Sequence, residues 1–130
     1  FGLFVFPLSC YGLLFILTVE MPDIDADRAG KKINALVKWG VKKGVMISFI
    51  AAFAGTVALT IIHFSGILIG KLDAEPLAAF SALPLAGVAS GLYADLNKRQ
   101  QIVRQVMINM TSMVLFLLLL DSYLFVHIFI

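Results

Sequence analysis

The sequence predicts an all-α protein, a polytopic transmembrane helical bundle with four spans. Of the 130 residues, 61% are hydrophobic and only 14% are charged, and the mean hydropathy is +0.99. Soluble domains carry roughly 25% charged residues. The polar residues are also concentrated in short segments between long apolar runs. The net charge of +2 is too small to indicate nucleic-acid binding, and the single cysteine, Cys10, excludes an intrachain disulfide.

Four apolar runs form the predicted spans. Nineteen helical residues cover about 28 Å, close to the roughly 30 Å hydrocarbon core of a bilayer. Pro7 and Pro84 lie inside two of the runs, which transmembrane helices tolerate when neighbouring groups satisfy the freed carbonyl. Because the chain enters an apolar run directly at Phe1, we expect this single transmembrane domain to be part of a larger one. The spans cover about residues 1–19, 45–70, 77–94 and 106–130.

The basic residues of the loops predict the orientation. Residues 20–44 carry six Lys or Arg and residues 95–105 carry three, whereas residues 71–76 carry only Lys71. Cytoplasmic loops are enriched in Lys and Arg. The sequence therefore predicts a multi-pass integral membrane protein whose 20–44 and 95–105 loops are cytoplasmic. We interpret the basic residues of the 95–105 loop as topology and lipid-headgroup charges.

Two features inside the spans concern packing. Small residues recur every four positions in the third span, which predicts close helix packing. Asp121 lies inside the fourth span, and because an acid within a membrane is costly, we expect it to hydrogen-bond at a helix end or to another helix. The small residues are Ala82, Ala86, Ser90 and Ala94, beside Gly87 and Gly91.

The polar segment 20–44 is the most informative part of the chain. Proline disfavours helix at the preceding residue but suits a first turn, so a new helix is predicted from Pro22. Gly30 is predicted to interrupt or bend that helix. A short amphipathic helix along the membrane interface then follows, with Trp39 as an anchor. Its apolar positions are Ile33, Leu36, Val37 and Val41.

Asp23 and Asp27 are four residues apart, so a continuous helix would place their carboxylates on one face. Such a pair repels unless a cation neutralises it, and Mg²⁺ commonly binds one or two carboxylates together with phosphate oxygens. Arg28, Lys31 and Lys32 follow directly and suit a metal-bound diphosphate. The spacing also permits a simpler interpretation, in which Asp27 and Lys31 form a surface ion pair and Asp23 is an ordinary first-turn acid.

The stretch PDIDADRAGKK, followed by NALVKWG, resembles the second aspartate-rich motif of the UbiA-type membrane prenyltransferases. In that family a D-x-x-x-D pair precedes a short basic, glycine-containing stretch and a later glycine. The resemblance places Asp23 and Asp27 on the paired aspartates, residues 30–32 on the Gly-Lys stretch and Gly40 on the later glycine. Asn34 lies near the position where the family often has threonine.

The resemblance implies a function and a layout. The chain would form the last four of nine helices of an Mg²⁺-dependent prenyltransferase, which transfers a prenyl group from an allylic prenyl diphosphate to an aromatic or other lipophilic acceptor. Asp23 and Asp27 would be catalytic metal ligands, and Arg28, Lys31 and Lys32 would bind the diphosphate. The family's first aspartate-rich motif is absent from these residues. We therefore expect an N-terminal half or partner chain to supply it, and no activity from this chain alone.

Two other classes of function fit the same composition. One is a small, non-enzymatic membrane subunit whose polar loop binds a partner or anionic lipid. The other is a transporter fragment, with Asp121 and the acidic segment along an ion path. Mg²⁺ dependence with a labelled prenyl diphosphate distinguishes the prenyltransferase from both.

Overall fold

The computed structural model describes residues 2–67 and 72–129, and these residues contain helices but no β-strand. A 3-10 turn at Met21–Asp23 joins the first helix to the second. The remaining regular elements are the helices α1 (Gly2–Glu20), α2 (Ile24–Ala29), α3 (Ala35–Trp39), α4 (Val41–Phe64), α5 (Glu75–Phe80), α6 (Ala82–Gly91) and α7 (Arg99–Phe129).

Three of the helical stretches are long and apolar enough to cross a membrane. They are Gly2–Ala29, which continues through the 3-10 turn, Val41–Phe64 and Arg99–His127. This finding agrees with the prediction of an all-helical membrane protein. The predicted span 77–94 has a different form, because it consists of α5 and α6, which meet at Ser81. Pro84 falls in the first turn of α6, where its missing N–H has no intrahelical partner to lose.

The ends of the long helices differ from the predicted spans. Helix α4 begins at Val41 and ends at Phe64, and the predicted residues 68–70 of that span and the adjoining Lys71 lie outside the described residues. Helix α7 begins at Arg99, so most of the predicted 95–105 loop is helical. This segment, RQQIVRQ, is rich in arginine and glutamine, which have high helix propensity. The loop predicted from polar composition was therefore wrong for residues 99–105.

Helix α1 packs along α4 through an aromatic side chain placed over a glycine. A Cβ atom at Gly55 would lie 3.0 Å from the Cζ atom of Tyr11, so the ring occupies the space that a side chain at position 55 would fill. The Tyr11 hydroxyl lies 3.1 Å from the Thr56 hydroxyl, which satisfies both groups within the apolar interface. Tyr11 also packs against Phe116 of α7, with the ring centroids 4.9 Å apart.

Helix α6 approaches α7 closely at Gly87 and Gly91. A Cβ atom at Gly87 would overlap the Ser112 side chain, and one at Gly91 would lie 2.8 Å from the Cδ atom of Gln105. The predicted stripe of small residues contacts α7 only in part, because Ala82 and Ala86 are exposed whereas the Ser90 hydroxyl donates to Gln105 Oε1 over 3.2 Å. The buried face of α6 is instead formed by Pro84, Gly87, Val88 and Gly91.

A buried polar network joins α1, α6 and α7. The Asn109 amide donates to the Thr18 hydroxyl over 3.2 Å, and the Gln105 amide donates to Asn109 Oδ1 over 2.8 Å. The same Gln105 nitrogen donates to the Gly87 carbonyl over 2.9 Å. Because these groups are shielded from water, their mutual hydrogen bonds fix the three helices relative to one another. Thr18 lies just before the acidic segment, so the network anchors the helix that carries it.

The hydrogen bond expected for Asp121 is not found among the residues that the structure describes. Its side chain is exposed on α7 and forms no hydrogen bond or ion pair with the described part of the chain. Its neighbour Tyr123 instead donates to the Asp73 carbonyl over 2.7 Å, which ties α7 to the segment before α5. This placement gives no support to an ion path through Asp121.

Candidate functional site

The acidic segment begins where α1 ends and is held against the bundle by apolar anchors. Met21 and Ile24 are 0% and 3% exposed, so the 3-10 turn and the start of α2 are fixed by burial. Pro22 is the second residue of the 3-10 turn, so it lies in the first turn of a helical element, although the helical stretch continues from α1 and does not begin anew at Pro22 as predicted. The Arg99 guanidinium at the start of α7 approaches the Pro22 carbonyl at 3.5 Å. The acids that follow therefore lie at one defined end of the bundle.

Asp27 has two polar neighbours on the chain that follows it. The Asn34 side-chain amide donates to Asp27 Oδ2 over 2.7 Å, and the Lys32 Nζ atom lies 3.4 Å from Asp27 Oδ1. Only 14% of the Asp27 side chain is exposed, whereas 67% of the Lys32 side chain is. The carboxylate is thus held in one orientation by a neutral donor, while its cationic partner remains largely in solvent.

The turn after α2 explains why Lys32, and not Lys31, meets Asp27. Helix α2 ends at Ala29, which confirms the interruption predicted at Gly30. The Lys31 N–H bonds to the Arg28 carbonyl and the Lys32 N–H to the Asp27 carbonyl, the pattern of a Schellman motif. Lys31 takes the left-handed position of this motif, with φ of 55°. The helix is therefore broken before Lys31 could lie one turn above Asp27, and the chain returns Lys32 to the carboxylate.

Asn34 was not predicted as a site residue, although its neighbours indicated a helix start. Its Oδ1 atom accepts a hydrogen bond from the Val37 N–H over 2.8 Å and so caps α3. Helix α3 is in turn fixed by Leu36, which is fully buried and occupies the space above Gly44 of α4. One amide group therefore connects Asp27 to a buried helix. An asparagine directly before an apolar helical pattern was the sequence signal for this cap.

Replacing Asn34 separates its two roles. Asn34→Ala is expected to increase the hydrogen-exchange rate of the Val37 amide about fivefold, because loss of an N-cap costs about 1 kcal/mol. Asn34→Asp keeps the oxygen that accepts from Val37 but can no longer donate to Asp27, so the Val37 amide should stay protected. Equal exchange rates in the wild type and in Asn34→Ala would contradict the capping role.

The other predicted site residues do not gather around Asp27. Asp23, Arg28 and Lys31 are all exposed, and Asp23 makes no hydrogen bond or ion pair within the described ranges. Asp23 belongs to the 3-10 turn and Asp27 to α2, so the pair spans a junction and not a single helix. Among residues 2–67 and 72–129, no three His, Cys, Asp or Glu side chains form a group suited to a metal ion.

A cavity of about 660 Å³ lies beside the acidic segment. It is enclosed by α2, the junction between α3 and α4, and the segment between α6 and α7. Asp25 and Arg28 line it, whereas Asp23, Asp27, Lys31 and Lys32 do not. The cavity also contains three cations that the sequence had not indicated as site residues: Lys42, Lys43 and Arg99. Their separation in sequence, across two loops, gave no sign that they would meet.

Asp95 lies at the rim of this cavity and is stabilised in its charged form. The Asn97 backbone N–H, 3.4 Å from Asp95 Oδ1, and the Lys98 ammonium, 3.4 Å from Oδ2, lower the pKa of the Asp95 carboxyl. Both interactions favour the carboxylate over the neutral acid. Its negative charge is therefore already matched by neighbours in the same loop.

Comparisons of this chain with protein-family models, curated proteins and solved structures gave no match.

Proposed function

We propose that this chain is the C-terminal part of an Mg²⁺-dependent, UbiA-type intramembrane prenyltransferase. The enzyme transfers a prenyl group from an allylic prenyl diphosphate to an aromatic or other lipophilic acceptor. The observation that carries this proposal is the position of the acidic segment. Asp23 and Asp27 directly follow an apolar helix long enough to cross the membrane, and Asp27 is held by a neutral amide beside an exposed lysine.

The cations next to the acids suit a phosphate-bearing substrate. Lys32 lies within ion-pair distance of Asp27, but most of its side chain is in solvent, so it can turn to another anion at little cost. Arg28 and Lys31 are exposed on the same short segment. In prenyl transfer the allylic C–O bond breaks and its electron pair leaves with the diphosphate. Nearby cations stabilise the negative charge that develops on that group.

The donor set fits magnesium in its chemistry. Asp23 and Asp27 offer hard carboxylate oxygens, and Mg²⁺ usually binds one or two carboxylates and takes its other ligands from water and phosphate. Asp23 has no competing partner among the described residues, and Asp27 has only Asn34 and Lys32. When bound, the ion would supply electrostatic stabilisation worth several kcal/mol to the departing diphosphate.

The apolar surroundings suit the second half of the reaction. The allylic cation must meet the acceptor before water does, and the acceptor then loses a proton to restore neutrality. Helices of low polarity around a lipophilic acceptor exclude water from such an intermediate. In this proposal the protein is a multi-pass membrane protein with the 20–44 loop on the cytoplasmic side, and the third span is formed by α5 and α6.

The complete enzyme also needs the first aspartate-rich motif, from an N-terminal half or a partner chain. We expect the complete enzyme to transfer label from geranyl, farnesyl or geranylgeranyl diphosphate to a lipophilic acceptor only when Mg²⁺ is present. The 130 residues alone should transfer none. Transfer by this chain alone, or transfer unaffected by chelation of Mg²⁺, would overturn the proposal.

A further inference from the structure

The cavity beside α2 contains more positive charge than its own residues neutralise. Arg28, Lys42, Lys43 and Arg99 line it, and none of the four forms an ion pair with the described part of the chain. Two acids also line it, but Asp95 is already matched by Lys98. Four cations from three separate segments therefore face one space with one unmatched carboxylate, that of Asp25. Such convergence lowers the free energy of an anion placed among them.

The size and the remaining lining restrict the anion. A volume of about 660 Å³ lies within the usual range for small-molecule sites and has room for a phosphate group with or without an attached substituent. Apolar side chains, including Ile24, Leu96 and Ile102, form part of the wall. Trp39, which is 44% exposed, lies at the same cavity and belongs to the residue type enriched at membrane interfaces. The site thus combines a cationic part with an apolar part.

We infer that this cavity binds a phosphate-bearing anion through Arg28, Lys42, Lys43 and Arg99. Two sources could supply this chemistry: the headgroup of an anionic phospholipid and free phosphate. Asp23 and Asp27 do not line the cavity, and Arg28 is the residue common to this inference and the proposed prenyl transfer. The variants used below leave Arg28 unchanged, so the two proposals are tested separately. A failure of either proposal therefore leaves the other intact.

The test uses the purified full chain in detergent and two probes. Retention of phosphatidylglycerol is compared with that of phosphatidylcholine by native mass spectrometry, and inorganic phosphate is titrated separately. The cavity pair Lys42→Gln and Arg99→Gln is compared with the control pair Lys38→Gln and Arg104→Gln. Each pair removes one lysine and one arginine, all four side chains are exposed, and the control residues lie outside the cavity.

The cavity pair is expected to lower the affinity for the bound probe roughly 30-fold, from about 1 kcal/mol per basic residue. The control pair should lower it less than about threefold. Preference for phosphatidylglycerol with this dependence supports a lipid headgroup, and binding of inorganic phosphate alone with the same dependence supports a free anion. The exchanged pair Lys42→Arg and Arg99→Lys keeps the charge and should retain binding, which excludes misfolding as the cause. Equal losses in the cavity and control pairs, or binding of neither probe, would overturn the inference.

Discussion

Asp23→Asn and Asp27→Asn are each expected to reduce prenyl transfer by the complete enzyme at least about 100-fold. Either change removes a carboxylate charge from the proposed metal site, where a bound Mg²⁺ would supply several kcal/mol of stabilisation to the departing diphosphate. Asparagine is close to aspartate in size, so the fold should be preserved. Initial rates with labelled prenyl diphosphate at saturating Mg²⁺ measure the effect.

Asp25→Asn is the matched control for these two variants. It removes the same charge from the same short segment, and Asp25 is exposed as Asp23 is. Asp25 lines the cavity beside α2, whereas Asp23 and Asp27 do not. Asp25→Asn should therefore lower the rate of prenyl transfer less than about tenfold. Three variants with equal rates would contradict the assignment of Asp23 and Asp27 as ligands, whatever the absolute rates.

Gly87→Leu is expected to destabilise the helix bundle by more than about 3 kcal/mol. Even a Cβ atom at this position would overlap the Ser112 side chain, and leucine adds three further carbons. Overpacking by extra methylene groups typically costs about 1–3 kcal/mol, and here α6 must also move away from α7. That movement would break the hydrogen bond from Gln105 to the Gly87 carbonyl. Unfolding of the detergent-solubilised chain, followed by circular dichroism, measures the loss.

Gly12→Leu provides the control for the packing argument. Gly12 is exposed on α1, and a Cβ atom there would meet nothing within 4 Å. The same substitution should therefore leave stability unchanged or raise it by up to about 1 kcal/mol, because leucine has the higher helix propensity. If Gly12→Leu and Gly87→Leu were equally stable, the close approach of α6 and α7 would not exist as described.

The long apolar helices could be predicted from the sequence because their signal is local. Runs of apolar residues place α1, α4 and α7 to within several residues, and Pro22 and Gly30 set the limits of the short helix between them. The start of α7 was not predictable in this way. Residues 99–105 are polar except for Ile102 and Val103, yet Gln105 is 2% exposed because its amide bonds to Gly87 and Asn109. From the sequence alone, a polar residue that is buried by hydrogen bonds in the folded bundle cannot be distinguished from an exposed loop residue.

The close packing predicted for the small residues of α6 was confirmed at Gly87 and Gly91, but not at Ala82 and Ala86 of the stripe. Residues at four-residue spacing mark a stripe on a helix, but α6 begins only at Ala82 and has Gly87, Val88 and Gly91 on its buried side. Small residues occur on both sides of this helix. Ser112 and Gln105 of α7 pack against the side of α6 that carries Gly87 and Gly91. This packing depends on the tertiary structure and could not be read from the sequence of α6.

The partners of Asp27 depend on the backbone conformation after α2 and not only on the spacing of residues in the sequence. The spacing of Asp27 and Lys31 indicates an ion pair only if the helix continues, and it ends at Ala29. The left-handed conformation of Lys31 then brings Lys32 and Asn34 to the carboxylate. The residue types of the motif were visible in the sequence, whereas the partner of each acid depended on one turn.

Asp23 and Asp27 are proposed to hold a metal-bound diphosphate. Equilibrium dialysis of radiolabelled inorganic diphosphate against the purified full chain measures this binding directly. We predict that the chain retains the label with Mg²⁺ present and releases most of it on chelation. The double variant Asp23→Asn and Asp27→Asn should retain at least about tenfold less, a typical loss when a metal site is disturbed, and Asp25→Asn should match the wild type. Label bound at the cavity beside α2 is removed from the comparison by making every variant together with the cavity pair Lys42→Gln and Arg99→Gln. In that background, retention that is independent of Mg²⁺, or that persists when Asp23 and Asp27 are both replaced, would contradict the assignment of these two acids as metal ligands.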